Sequence, residues 1–202
     1  MSEGEMWKRQ KSLNLNVPQK VVIIGAGGIG SWIAYFFARL GVKELVVADP
    51  DIVELHNLNR TPFNLEHINR PKVEALEEII LSFRDDIEYI GIPEYVLDWR
   101  EEFEGADVII DARDTTELLP FDVDFKLTYD GEMISFWIKP NKLTLIGDDS
   151  SGYETVPSYV VPPVVIASFL VHTVAKTNWK ELQPDVETTT ISELIKMMGV
   201  RI

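Results

Sequence analysis

The chain has 202 residues, 46% of them hydrophobic, with 19 basic against 33 acidic side chains for a formal charge of −14; this fits one globular domain with a single sizeable core. It has no cysteine, which excludes a disulfide scaffold, a cysteine-ligated zinc site, a thiol nucleophile and any persulfide or thioester relay, so the chemistry must use oxygen and nitrogen. The acidity is concentrated, with 14 acidic residues from Asp85 to Asp124 against only Arg100 and Arg113, which disfavours nucleic acid and reads as a solvated face or a landing surface for a basic partner.

Residues 1–19 lack strong periodicity, and Pro18 separates them from Lys20–Ile24, a short β-branched run that predicts a buried parallel strand. Gly25-Ala-Gly-Gly-Ile-Gly30 follows, and Ile29, Ile33, Phe36, Phe37 and Leu40 then recur at helical spacing up to Gly41. Glu44–Ala48 predicts a second strand finishing at Asp49, which makes a βαβ unit with a right-handed crossover. Asp49–Pro71 is polar and too long for a simple connection, and loops of that size tend to be functional. Pro71 is placed at a first helical position, opening a helix over Lys72–Phe83 with Val73, Leu76, Ile79, Ile80 and Phe83 on one face.

Further along, Ile87–Ile92 predicts a strand, Val96–Phe103 a helical or turn segment, and Asp107–Asp111 another buried strand. Lys126–Tyr129, Met133–Ile138 and Leu143–Ile146 predict strands, the last two joined by a Pro140-Asn141 turn. Val161–Lys176 predicts a core helix opened by Pro162 and Pro163, and the polar tail from Asn178 ends in an amphipathic piece, Ile191–Met198, that packs on its own domain or on a second subunit. No apolar run reaches the roughly 20 residues that span a bilayer, and Met1–Lys11 is polar. The expectation is therefore a cytoplasmic protein without membrane contact.

The chemistry-bearing residues gather at the predicted strand ends. Gly25, Gly27, Gly28 and Gly30 follow a strand and open a helix, and Asp49 ends the next strand nineteen positions after Gly30, which is the context of a nucleotide fingerprint. Such glycines let the backbone approach a phosphate, the helix N-terminus supplies free N–H groups, and Asp49 can accept the ribose hydroxyls. Asp51, Asn57, Asn59 and Arg60 follow just beyond the second strand, with Lys72 on the next helix; two cations there suit the concentrated charge of a triphosphate. Asp114 falls in the turn after the Asp107–Asp111 strand, and a carboxylate beside a polyphosphate calls for an intervening cation, so it is a candidate Mg2+ ligand as well as a candidate helix cap.

In order along the chain, the glycine turn, the Asp-x-Asp…Asn-Leu-Asn-Arg60 loop, Pro71-Lys72 and Asp111-x-x-Asp114 resemble the ThiF/MoeB/HesA family, the adenylation fold shared with ubiquitin-activating enzymes. The likeness runs from about residue 20 to 177, including Val156-Pro, Val161-Pro-Pro-Val and the apolar helix after it. It implies an α/β fold, a doubly wound, Rossmann-like, mostly parallel sheet with an antiparallel extension. The implied division is an N-terminal segment 1–19, an ATP-binding adenylation domain 20–177 and a C-terminal tail 178–202.

The resemblance also implies ATP with Mg2+ and no zinc, attack of a carboxylate on the α-phosphate, and a homodimer. Asp49 would hold the ribose, Asn57 and Arg60 the phosphates, Lys72 the developing charge and Asp114 the magnesium. The implied substrate is the C-terminus of a ubiquitin-like or sulfur-carrier protein. Three features depart from the family pattern: Thr61-Pro62 follows Arg60, Thr115 follows Asp114, and the CxxC pairs are missing. Arg9-Gln10 resembles part of a family segment that reaches a neighbouring subunit. Competing readings are a tRNA-modifying dehydratase-like member, a non-catalytic scaffold subunit, and an NAD-dependent oxidoreductase, which leaves the Asn-Leu-Asn-Arg loop unexplained. His56, His67 and His172 read as ordinary loop or helix residues, without the close spacing of a helical metal site.

Overall fold

The computed structural model describes residues 3–115, 117–131, 133–141 and 158–197. The α/β, Rossmann-like fold is a seven-stranded, mostly parallel sheet in the order β3-β2-β1-β4-β5-β6-β7 with an antiparallel end. Its strands are β1 (Lys20–Ile24), β2 (Glu44–Ala48), β3 (Glu88–Ile92), β4 (Val108–Asp111), β5 (Phe125–Asp130), β6 (Met133–Ile138) and β7 (Asp185–Thr190). The helices are α1 (Glu3–Met6), α2 (Gly28–Leu40), α3 (Lys72–Leu81), α4 (Val161–Lys176) and α5 (Ile191–Met197).

Why the first half reads so directly from sequence is visible in burial. β1, β2 and β4 are covered on both faces, so continuous Val and Ile runs suit them. Side chains alternate between the faces. Val21, Ile23, Leu45, Val47, Val108 and Ile110 join the core under α2, α3 and α4, while Val22, Ile24, Val46, Ala48 and Ile109 face Val96, Phe103, Leu119 and Val123. The second face is thus covered by the two segments flanking β4, in which a 3-10 turn, Glu101–Phe103, is the regular piece. Burying one such aliphatic or aromatic side chain is worth about 1.5–3 kcal/mol.

Several local expectations need correction. Pro71 is not helical but the N-cap of α3, with ψ 133°, because Ile52 and Pro71 pair as an isolated bridge that closes the 49–71 loop. α3 stops at Leu81 rather than Phe83, and Phe83 instead packs edge-on to Tyr35 under the Arg39 guanidinium. The polar tail hides a strand, β7, that pairs antiparallel with β6; its Thr-rich face gave no apolar alternation to detect. Ile191 of α5 is buried and Leu194 packs on the main core. The Leu143–Ile146 strand and Met198 lie outside the described residues.

The N-terminal segment clamps the far end of α2. Gly41 takes φ +113° as its C-cap, a left-handed conformation that glycine adopts without steric cost. Trp7 Nε1 donates to the Arg39 carbonyl at 3.0 Å and Gln10 Nε2 to the Leu40 carbonyl at 2.7 Å. Buried Arg84 lies over the Trp7 ring, donates Nη1 to the Ala38 carbonyl and pairs with Asp86 at 2.7 Å. The hydrogen bond from Arg84 holds the Asp86 carboxyl below its ordinary value. A folded pKa below the unfolded one means that ionised Asp86 stabilises the fold above the unfolded pKa, and that this is lost as pH falls through the folded value. Asp86→Asn is accordingly expected to cost about 0.5 kcal/mol at neutral pH and nothing in strong acid, read by urea denaturation at both.

Candidate active site

β1 runs into the glycine turn, β2 into Asp49 and β4 into Asp111–Thr115, and parallel pairing sets these carboxyl ends side by side, the usual place for a ligand in such a sheet. A cavity of about 610 Å³ opens there, within the size range of small-ligand sites. Gly25, Gly27, Gly28, Asp49, Asp51, Asn57, Arg60, Lys72 and Asp114 all line it. Of the residues singled out from sequence in these segments, Gly30 and Asn59 are not on its wall, and Asn59 Nδ2 instead donates to the Ser158 carbonyl at 3.1 Å.

Each glycine has its own reason. Gly25 has φ +100°, and a Cβ there would lie 2.8 Å from the Ala112 carbonyl oxygen on β4's extension. At Gly30 a Cβ would run into the carbonyl oxygen of Gly25, so this glycine lets α2 fold back on its own turn. A Cβ on Gly28 would meet the Tyr129 hydroxyl at 2.8 Å, whereas at Gly27 it would enter open space. The turn therefore presents the first backbone N–H groups of α2 to the cavity, an anion-binding arrangement.

Asp49 ties this turn to β2. Its buried carboxylate accepts the Ala26 N–H at 2.6 Å and the Asp51 N–H at 2.9 Å. Lys72, the first residue of α3 and also buried, lies 3.5 Å from Asp49 and 2.7 Å from Asp51. Its ammonium is thus stored between two carboxylates on the cavity wall. Asn57 accepts the Glu54 N–H at 3.0 Å, which closes a 3-10 turn, and Arg60 Nη1 donates to the His56 carbonyl at 2.5 Å and to Asn59 at 3.1 Å. Asp114 stands exposed at the rim after β4.

Arg9 is not part of this constellation. It is exposed between Trp7 and Gln10 at the C-terminal end of α2, and a 13-residue helix separates its ends by about 20 Å.

Sequence reasoning missed a charged group beneath the rim. Asp111 is fully paired: Oδ1 accepts from the Arg113 N–H and Nε at 3.1 and 2.9 Å, while Oδ2 accepts from Arg113 Nη2 at 2.9 Å and Lys126 Nζ at 3.1 Å. Asp111 and Lys126 face each other in the β4–β5 register, both buried. Burial pulls the Lys126 ammonium below its ordinary value, and Asp111 opposes that. The available signal was a lysine inside the apolar Phe125-Lys126-Leu127 run. Tyr129, further along β5, lines the cavity and shares a 2.7 Å hydrogen bond with Ser158.

Glu66, His67 and Glu78 also bring three metal-capable side chains together. His67 Nδ1, however, accepts the Asn64 N–H at 3.0 Å, which leaves the proton of a neutral ring on Nε2, toward Glu78 at 3.9 Å. That is a capping histidine rather than a ligand.

The ThiF family model matches residues 8–124. The Sulfur carrier protein ThiS adenylyltransferase of Escherichia coli is 35% identical over 98 residues, 47% of this chain and 39% of that protein. The chain covers less than half the length of the curated relatives it matches. Selenomethionine PaaA shares the fold, with a TM-score of 0.67 and 21% identity over 87% of this chain and 61% of that one. The E. coli tRNA N6-threonylcarbamoyladenosine dehydratase TcdA in complex with AMP gives a TM-score of 0.50 and 26% identity over 56% of this chain and 49% of that one.

Proposed function

The chain belongs to the ThiF family, and from that premise we propose that it is an ATP-dependent adenylyltransferase that joins a substrate carboxylate to AMP without a catalytic cysteine. The observation that carries the reading is the meeting of the glycine turn, Asp49, Arg60, Lys72 and Asp114 in one cavity at the strand ends. A carboxylate, with a pKa of about 4, is ionised at neutral pH and needs no general base. Catalysis is then positioning and charge neutralisation.

In this reading Asp49 receives the ribose, and the glycine turn with the first turn of α2 receives the phosphates. Asn57 and Arg60 address the phosphate tail. Lys72 exchanges its Asp51 partner for the charge that develops on the transferred phosphate. Asp114 offers a hard carboxylate oxygen at the rim, a donor that fits Mg2+; bound there, the ion would screen the polyphosphate. The substrate we favour is the C-terminal carboxylate of a ubiquitin-like or sulfur-carrier protein, by analogy with the named relative. Residues 20–177 form the adenylating unit, flanked by 1–19 and 178–202, in a cytoplasmic homodimer. No described helix is long and apolar enough to cross a membrane.

A tRNA-modifying role is the second reading, favoured by the likeness to TcdA and opposed by the acidic stretch between Asp85 and Asp124. Calorimetric titration with ATP and magnesium, beside NADH, tests the site. Binding is expected to require magnesium and to weaken about tenfold or more in Arg60→Ala and in Asp114→Ala. NADH binding without ATP binding would overturn the reading, and binding of neither would leave a scaffold subunit. ATP consumption with ubiquitin-like proteins against bulk tRNA separates the two substrates.

A further inference from the structure

Arg113 has no part in the roles assigned above, yet it lines the same cavity, one residue before Asp114. Its guanidinium is held by both oxygens of Asp111 and by the Glu117 carbonyl at 2.9 Å. Among the described residues these bonds use Nε and Nη2 and leave Nη1 without a partner. Because buried Lys126 also pairs with Asp111, the three charged groups together carry one net positive charge. A rigid, planar, pre-oriented guanidinium of this kind suits a carboxylate better than a flexible ammonium does.

The sheet order decides which oxyanion it meets. β1 and its glycine turn lie between β2 and β4. Lys72 and Arg60 are carried by the segment after β2, and Arg113 by the segment after β4. Displacement at the α-phosphorus is in line, so the nucleophile enters opposite the leaving pyrophosphate. With the phosphate tail drawn toward Arg60 and Lys72, the entering group comes from the β4 side.

We propose that Arg113 is the docking cation for the substrate carboxylate and afterwards holds the acyl carbonyl oxygen of the adenylate, an inference that rests on the adenylation reading. One carboxylate oxygen forms a bond to the α-phosphorus while Arg113 Nη1 donates to the other. The bond from that phosphorus to the oxygen bridging to the β-phosphate breaks, pyrophosphate leaves with the electron pair, and no proton moves. Arg113 also offsets the repulsion that the neighbouring Asp114 exerts on an incoming carboxylate.

The test compares ATP with 5′-O-(N-acetylsulfamoyl)adenosine, an unreactive mimic of an acyl adenylate, by calorimetry on the full chain. Arg113→Ala is expected to weaken the mimic about tenfold or more while ATP affinity changes less than about twofold, and Arg113→Lys to recover part of the loss. The retained ATP affinity reports an intact site. Equal losses for both ligands, or no loss for the mimic, would overturn the inference. Failure of the unsubstituted protein to bind ATP would remove the adenylation reading itself, a separately visible outcome.

Discussion

Lys72→Ala is expected to weaken ATP binding about 100-fold, the upper end of what a charge-assisted hydrogen bond contributes. Two effects add. The substitution removes a cation from the cavity wall, and it leaves Asp49 and Asp51 facing the polyphosphate without the ammonium that now lies 3.5 and 2.7 Å from them. The second effect is separable, because Asp51→Asn in the Lys72→Ala background removes one of the uncompensated charges and should restore part of the affinity. Calorimetric titration of the two variants in the presence of magnesium measures both effects. Unchanged affinity in Lys72→Ala would mean that Lys72 serves only to join the 49–71 loop to α3.

Asp111→Ala should be the most damaging change to stability outside the apolar core, about 3–5 kcal/mol in urea denaturation, since it strands a buried ammonium. Lys126 is fully buried and 3.1 Å from its partner, and Arg113 would lose the carboxylate that orients it. Lys126→Met is expected to cost less, because Asp111 keeps three donors from Arg113. Combining Asp111→Leu with Lys126→Met replaces the pair by apolar volume and should recover most of the stability, since desolvation largely cancels the attraction within a buried pair. An Asp111→Ala protein as stable as the parent would show that Lys126 finds solvent or another partner.

Legibility followed the range of the interactions. β1, α2, β2 and α4 were readable with their boundaries because each is set by its own residues: unbroken Val and Ile runs, an apolar helical face, a closing glycine at Gly41. The glycine turn was equally readable, since its requirement for φ +100° at Gly25 and for the bare Cα of Gly30 is written in residue type. β7 was not, because a Thr-rich strand at the sheet edge is specified by pairing with β6 rather than by an apolar pattern. The covering of the second face by irregular segments also escaped, because Val96, Phe103, Leu119 and Val123 are scattered in sequence and meet only across the sheet.

The candidate site divides in the same way. Residue identities and strand ends by themselves determined the glycine turn and the placing of Asp49, Asp51, Asn57, Arg60, Lys72 and Asp114 around one crevice, because parallel pairing brings consecutive carboxyl ends together whatever the details of packing. Only the tertiary structure decided which charges touch: that Lys72 rests between Asp49 and Asp51, that Asp111 serves Arg113 and Lys126 instead of the cavity, and that Arg9 lies at the far end of α2. The physical reason is that secondary structure and strand order follow from local preferences and burial, whereas an ion pair forms between groups far apart in the chain and depends on ångström-scale distances that no local pattern encodes.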